Sequence, residues 1–305
     1  MIKDEGNEIF SSDKLELLIN KFETYLKATD RGSSVRSYVG DVNRFIKWSI
    51  SKYDVSLVNA TSPLDLVEYR TFMQESGGHK GNGVAPTTVN RAIISLKIFF
   101  SWLKKEGYIK DNPSEDIKMV AIASTPVPRW LTRPQQARLI RAVRQSGSKR
   151  DEAITSLMLH AGLRVSELCS LRRSDLYISA RCGKVAVTGK GNKYREVPLN
   201  STIRKILSCW LAENPTGPLF PNKYGKSIST RGVLKLVARY AYIAKLEKVT
   251  PHTLRHTFCK NAIDMGIPID QVAAMAGHSS LDITKRYTAP SQDDLQKAVE
   301  RLSWE

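Results

Sequence analysis

Four separated stretches of this sequence gather side chains that could grip a phosphate. They are residues 161–168 with Arg164 and Glu167, residues 189–193 with Lys190 and Lys193, residues 252–256 with His252, Arg255 and His256, and Gly277-His278 followed by Tyr287. Arginine is always charged, and its planar fork meets two phosphate oxygens at once; after the Gly162-Leu163 break, Arg164 could be held rigidly enough to use it. Taken alone, Arg164 and Glu167 at i,i+3 read as an exposed ion pair worth little. Lys190 and Lys193 sit in a Gly-rich turn where a backbone can approach closely, a lysine serving as point charge or acid, although hairpin tips routinely carry solvated lysines.

His252 and Arg255 are three residues apart on a helix opening at Pro251, so both leave one face near its positive end. His252 and His256, at i,i+4, could hold zinc. However, Thr253 stands where the metalloprotease pattern has glutamate, and no third ligand is evident. His256 therefore reads as a hydrogen-bonded core ring with no chemical part. Tyr287 follows His278 by nine residues, flanked by Lys285 and Arg286. Packing is its plain reading; as a nucleophile, a phenol titrating near about 10 needs neighbouring cations and a base.

The elements that must position these groups fall into two sets. Helical stripes run through Leu15, Leu18, Ile19, Phe22 and Leu26, capped by Ser12 or Asp13, and through Val35, Tyr38, Val42, Phe45 and Ile46. Two more run through Leu66, Tyr69, Phe72 and Met73 after Ser62-Pro63, and through Ile93, Ile94, Leu96, Phe99, Phe100 and Leu103 from Pro86. These four helices form a small bundle ending near residue 112, and a Pro-containing linker of few apolar residues follows. The second set opens with a helix through Leu139, Ile140 and Val143, then an apolar helix from Ala153 to His160 and a short one from Val165 to Leu171. Two β-rich runs, Lys184–Thr188 and Tyr194–Leu199, flank residues 189–193 as a hairpin with a basic tip, and helices punctuated by prolines complete the chain. The fold class is thus mainly α, a four-helix N-terminal domain plus a mostly helical second domain with a small antiparallel sheet.

A length of 305 residues suits two domains at roughly 100–200 residues each. With 41% hydrophobic and 8% aromatic residues, fibrous and low-complexity classes are excluded. No apolar run approaches a membrane span and the start lacks a signal-peptide pattern, so a cytoplasmic location and no membrane partner are expected. Cys169, Cys182, Cys209 and Cys259 lack CxxC spacing, which predicts buried or idle thiols. The net charge of +17 is uneven: 16 basic residues against 15 acidic up to Glu115, then 31 against 15. That excess lies among turns and short segments rather than on one amphipathic helix, favouring nucleic acid over a membrane surface.

In the order Arg, Lys, His-x-x-Arg, His, Tyr, the motifs GLRVSEL, VTGKGNK, HTLRHTF and AGHSSLDITKRY resemble the tyrosine recombinase (phage integrase) family, in a minimal Xer-like form, over nearly the whole chain. The resemblance implies residues 11–112 as a core-binding DNA-binding domain, 113–130 as linker, 131–289 as catalytic domain and 290–305 as a helix exchanged between protomers. It implies Arg164 and Arg255 as clamps on the scissile phosphate, Tyr287 as nucleophile, Lys190 as general acid, and His252 and His278 completing the pocket. His252 would assist the tyrosine's proton transfer, His278 would bond a nonbridging oxygen, and Glu167 would orient the Arg164 helix. Lys193, Arg195, Lys285 and Arg286 are expected on DNA.

Expected partners are double-stranded recombination sites, a homotetramer on two duplexes and accessory DNA-bending proteins, with no cofactor and no metal; the bound protein would be nucleoid-associated. After Tyr287 the chain reads Thr288-Ala289-Pro290, and it closes on Leu302-Ser303-Trp304-Glu305, where Xer proteins usually carry a Thr-His pair and a final His-Pro-Arg run. An arm-binding domain and an insertion before His252 are also not seen, so a transposon- or plasmid-borne resolvase or small integrase is expected. Two other classes share the basic clamp: a type IB topoisomerase-like relaxing enzyme and a non-catalytic DNA-binding accessory protein.

Overall fold

The computed structural model describes residues 12–29, 34–53, 60–78, 81–122, 128–189, 193–213, 216–278, 280–288, 295–296, 299–300 and 302. The chain divides into two compact units, Met1–Thr125 and Pro126–Glu305. It is mainly helical, with one three-stranded antiparallel sheet in the second unit.

In the first unit α1 (Ser12–Ala28), α2 (Val35–Tyr53), α3 (Pro63–Glu75) and α4 (Pro86–Lys105) bring their apolar stripes together. Phe22, Leu26, Phe45, Leu66, Met73, Phe99 and Phe100 are buried in one cluster, with Phe22 and Phe99 meeting edge to face at 5.0 Å between ring centres. Ile94, counted in the inward stripe from its spacing, is instead exposed. The start of α3 shows why sequence signals work here. Ser62 accepts from the Asp65 N–H, the Asp65 carboxylate accepts from the Ser62 N–H at 2.8 Å, and Pro63 occupies the first turn. Residues 113–122, which read as linker, belong with this unit. Asn90 exchanges two hydrogen bonds with the Val120 backbone, Arg70 donates to the Lys118 carbonyl, and Ile117 is buried against the bundle.

The second unit runs α5 (Arg133–Gln145), α6 (Lys149–Ala161), α7 (Val165–Ser170), β1 (Leu176–Ile178), β2 (Gly183–Thr188) and β3 (Tyr194–Pro198). There follow α8 (Ser201–Glu213), α9 (Thr230–Ile243), α10 (Pro251–Asp264), α11 (Ile269–Ala276) and α12 (Leu281–Lys285). Helix α6 is buried along most of its length because α5, α8 and α10 pack around it. The hairpin expectation holds: β2 and β3 pair antiparallel with Thr188 opposite Tyr194. Strand β1, which adds to β2 with Leu176 opposite Val185, is three residues long, too short to announce itself by alternation.

Candidate active site

Two helix ends build the floor of the site. Gly162 closes α6 at φ 60° and Gly277 closes α11 at φ 67°, the left-handed conformation that glycine adopts without strain. A Cβ on Gly162 would also lie 2.2 Å from the Phe258 ring, and one on Gly277 2.7 Å from the Arg195 guanidinium. The carbonyls of these glycines accept from the two arginines of the pattern: Arg255 donates to Gly162 at 2.7 Å, and Arg164 donates to Gly277. Each guanidinium is therefore anchored at the negative end of a helix. Arg255 is 2% exposed; burial and the nearby Arg164 push it down to about 10, still fully charged near neutrality.

Glu167 ties three segments together. It caps α7 by accepting from the Arg164 N–H at 2.7 Å, and takes the Arg164 side chain at 2.9 Å and Arg195 of β3 at 2.8 and 2.9 Å. Its side chain is 3% exposed, so the surface ion pair that spacing alone allowed is a buried carboxylate between two arginines. Burial pushes this carboxyl up, but the hydrogen bonds from Arg195 and from the Arg164 backbone outweigh it and leave it below the usual range. Arg195 was expected on DNA. The structure turns it inward at 13% exposure, with Nε on the Met275 carbonyl at 2.9 Å and both other nitrogens on Glu167.

Helix α10 carries the His-x-x-Arg pattern. Thr250 caps it by accepting from the Thr253 N–H and Pro251 opens it, which aims the first turn's side chains. The His252 and His256 ring centres are 4.3 Å apart, with His252 exposed. His256 Nδ1 is hydrogen-bonded to the Tyr287 hydroxyl, so the ring read as silent touches the one phenol of the pattern. That pairing spans 31 residues, and only the fold reveals it. His278 lies face to face with Tyr287, ring planes 12° apart, and its Nδ1 is fixed by Thr284 Oγ1 at 2.8 Å.

Tyr287 follows α12 and is 1% exposed. Burial raises its phenol above the ordinary value, with the adjoining Cys259 reinforcing the shift. Cys259 is buried in hydrogen-bond contact with Tyr287 and is itself pushed up to about 11 by burial; Cys182 and Cys209 are exposed rather than buried. Burial, then the surrounding arginines, pushes His278 down to about 4; burial, then His252 and Arg255, does the same to His256. His252 is lowered too, by burial and then by Arg255 and Arg164. All three rings are neutral near pH 7.

Lys193 is exposed beside the hairpin tip, and its carbonyl accepts from Gly189 at 2.8 Å. Lys190 lies outside the described residues. Lys285 and Arg286 are exposed, Lys285 reaching Asp282 at 3.2 Å. Among the described residues no three His, Cys, Asp or Glu side chains gather as a metal site, and no helix is long and apolar enough to cross a membrane. A rigid pair of arginines, Arg255 buried and Arg164 partly exposed, beside neutral imidazoles and a phenol can bind an anion and stabilise charge that builds on it.

Residues 129–293 match the phage integrase family, and residues 19–107 match the phage integrase N-terminal SAM-like domain. The chain is 33% identical to the tyrosine recombinase XerC of Thermodesulfovibrio yellowstonii, over 90% of this chain and 91% of that one. It is 28% identical to the TnP I resolvase of Bacillus thuringiensis, over 92% and 98%. Among solved structures, XerH site-specific recombinase in a post-cleavage complex with its palindromic difH substrate shares the fold at TM-score 0.73 and 21% identity, covering 97% of this chain and 90% of that one.

Proposed function

Because the chain belongs to the phage integrase family of tyrosine recombinases, we propose that it is a site-specific DNA recombinase working through a phosphotyrosine on Tyr287. The observation that carries this reading is the convergence of Arg164, Arg255, His278 and Tyr287 in one site, the two arginines pinned by glycine carbonyls. Arg164 and Arg255 hold the nonbridging oxygens of the scissile phosphate. In the tautomer protonated at Nε2, His278 accepts at Nδ1 from the Thr284 hydroxyl and donates its Nε2–H to the same phosphate. Tyr287 attacks phosphorus and the 5′ oxygen leaves with a proton from Lys190. The resulting 3′-phosphotyrosine keeps the phosphodiester energy, so the 5′ hydroxyl of a second strand can attack it and rejoin the DNA without ATP. Exchange of one strand pair gives a Holliday junction, and exchange of the other resolves it.

Glu167 and Arg195 position this machinery from beneath, and Lys193, Lys285 and Arg286 meet DNA backbone. The helical first unit closes on the duplex as a core-binding domain. A cyclic tetramer on two duplexes, helped by accessory DNA-bending proteins, fits the exposed apolar residues Leu295, Val299 and Leu302 near the C-terminal end. The protein works in the cytoplasm on the nucleoid, resolving or moving a mobile element; the likeness to TnP I resolvase supports that setting. Incubation with supercoiled plasmids carrying no site, one site or a pair of cognate sites tests the reading. Site-paired recombinant products are expected; relaxation without recombination indicates a topoisomerase, and binding without any cleavage an accessory protein.

A further inference from the structure

A phenol buried beside cations cannot attack phosphorus until something takes its proton. Among the described residues, the side chains in hydrogen-bond contact with the Tyr287 oxygen are His256 and Cys259. A thiol titrating near about 11 is protonated and has no proton vacancy at neutral pH. Arg255 and Arg286 carry no acceptor. His278 is stacked on the Tyr287 ring at 6.3 Å between centres, its Nδ1 already engaged by Thr284. His252, which family resemblance would assign to this proton, stands 4.3 Å behind His256, on the imidazole rather than on the phenol. Among the described residues, only His256 sets a ring nitrogen against the phenol oxygen, and in the tautomer protonated at Nε2 that nitrogen, Nδ1, is the acceptor.

We propose that His256 is the group that accepts the Tyr287 proton during attack and returns it on rejoining. This rests on the reading of Tyr287 as nucleophile. In cleavage the Oη–P bond forms as the P–O5′ bond breaks. The phenol proton passes to His256 Nδ1, and the leaving oxygen takes a proton from the general acid. In rejoining, the incoming 5′ hydroxyl returns its proton to that acid and His256 returns its own to the departing phenolate, so no other reactant is needed.

The charge around the ring makes this base responsive to substrate. The groups facing His256 are His252 and Arg255 on α10, Arg286 and Tyr287 after α12, and His278 after α11. Burial, then the charges of His252, Arg255 and Arg286, disfavours protonation of His256, and the pocket rests with a neutral imidazole and a protonated phenol. A phosphate between Arg164 and Arg255 offsets their charge and makes His256 a stronger base where the scissile group has arrived.

The test uses the full chain and a nicked duplex, built on the sequence that the protein selects from a random DNA pool, that traps the covalent complex. His256→Gln keeps an acceptor beside Tyr287 but cannot hold a proton. Adduct formation is expected to slow about 10²- to 10⁴-fold with DNA affinity unchanged. Placing a trifluorinated tyrosine, ionised near neutral pH, at position 287 should restore the rate in His256→Gln but not in His252→Gln. Native-like rates in His256→Gln, or no restoration by the fluorinated residue, overturn the proposal. An adduct formed by Tyr287→Phe instead removes the nucleophile reading, a failure distinct from either result.

Discussion

Glu167 grips Arg195 with both carboxylate oxygens, at 2.8 and 2.9 Å, while the same carboxylate holds Arg164 at 2.9 Å. One buried anion thus links β3, the start of α7 and, through the arginines' bonds to Met275 and Gly277, the end of α11. Removing it strands Arg195, only 13% exposed, and takes the anion from the partly exposed Arg164.

Glu167→Ala is accordingly expected to lose about 3–5 kcal/mol of stability, the range found when one partner of a buried ion pair is deleted. Urea unfolding checks this. A loss below about 1 kcal/mol would place the carboxylate in the exposed-pair class instead.

Acid should weaken the fold through its buried histidines. His256 and His278 are pushed down to about 4, mainly by burial, and His160 and His252 are lowered by the same cause. An unfolded chain protonates these rings near about 6.5. Between that pH and about 4 the unfolded state binds more protons, so stability is full above 6.5 and falls as pH drops through this window. Urea midpoints at pH 7.5, 6 and 5 should decline in that order, and His278→Asn should flatten the decline. A midpoint that rises on acidification contradicts the sign.

In the sequence Lys190 and Lys193 both fall between β2 and β3, yet one proton donor suffices for the leaving oxygen. Lys190, between Gly189 and Gly191, matches the family's hairpin position. Lys190→Ala should cut normal DNA about 10²- to 10⁴-fold more slowly, but cut a substrate with sulfur at the bridging 5′ position nearly as fast as the native protein. Arg255→Ala should not be rescued. Rescue of Lys193→Ala alone would exchange the two lysines' roles.

The apolar residues Leu295, Val299 and Leu302 are exposed on the single chain. Truncation after Ala289 should leave binding to one site intact and abolish cooperative pairing of two sites, read by gel shift and light scattering. Unchanged pairing would rule out the protomer contacts proposed for this segment.

Local chemistry was readable in the sequence. The caps at Ser62 and Thr250, the glycine break after Ala161 and the hairpin pairing Thr188 with Tyr194 are each written in a few neighbouring residues. What escaped depends on distant segments meeting. Arg195 looked like one more surface cation of a basic hairpin until Glu167 and Met275 were found beneath it. His256 looked inert because its partner is in another helix-terminal segment. Residues 113–122 resembled a free linker, since the carbonyl and amide bonds that hold them to Asn90 and Arg70 leave no mark on composition.

Every role proposed for the site depends on Tyr287 carrying the DNA covalently. Tyr287→Phe removes one oxygen from a buried ring whose packing is otherwise kept, so folding and site binding should survive. On a nicked suicide duplex the native protein should form a covalent complex that protease digestion traces to the peptide containing Tyr287, and Tyr287→Phe should form none. A covalent complex of native yield in the phenylalanine variant would contradict the account.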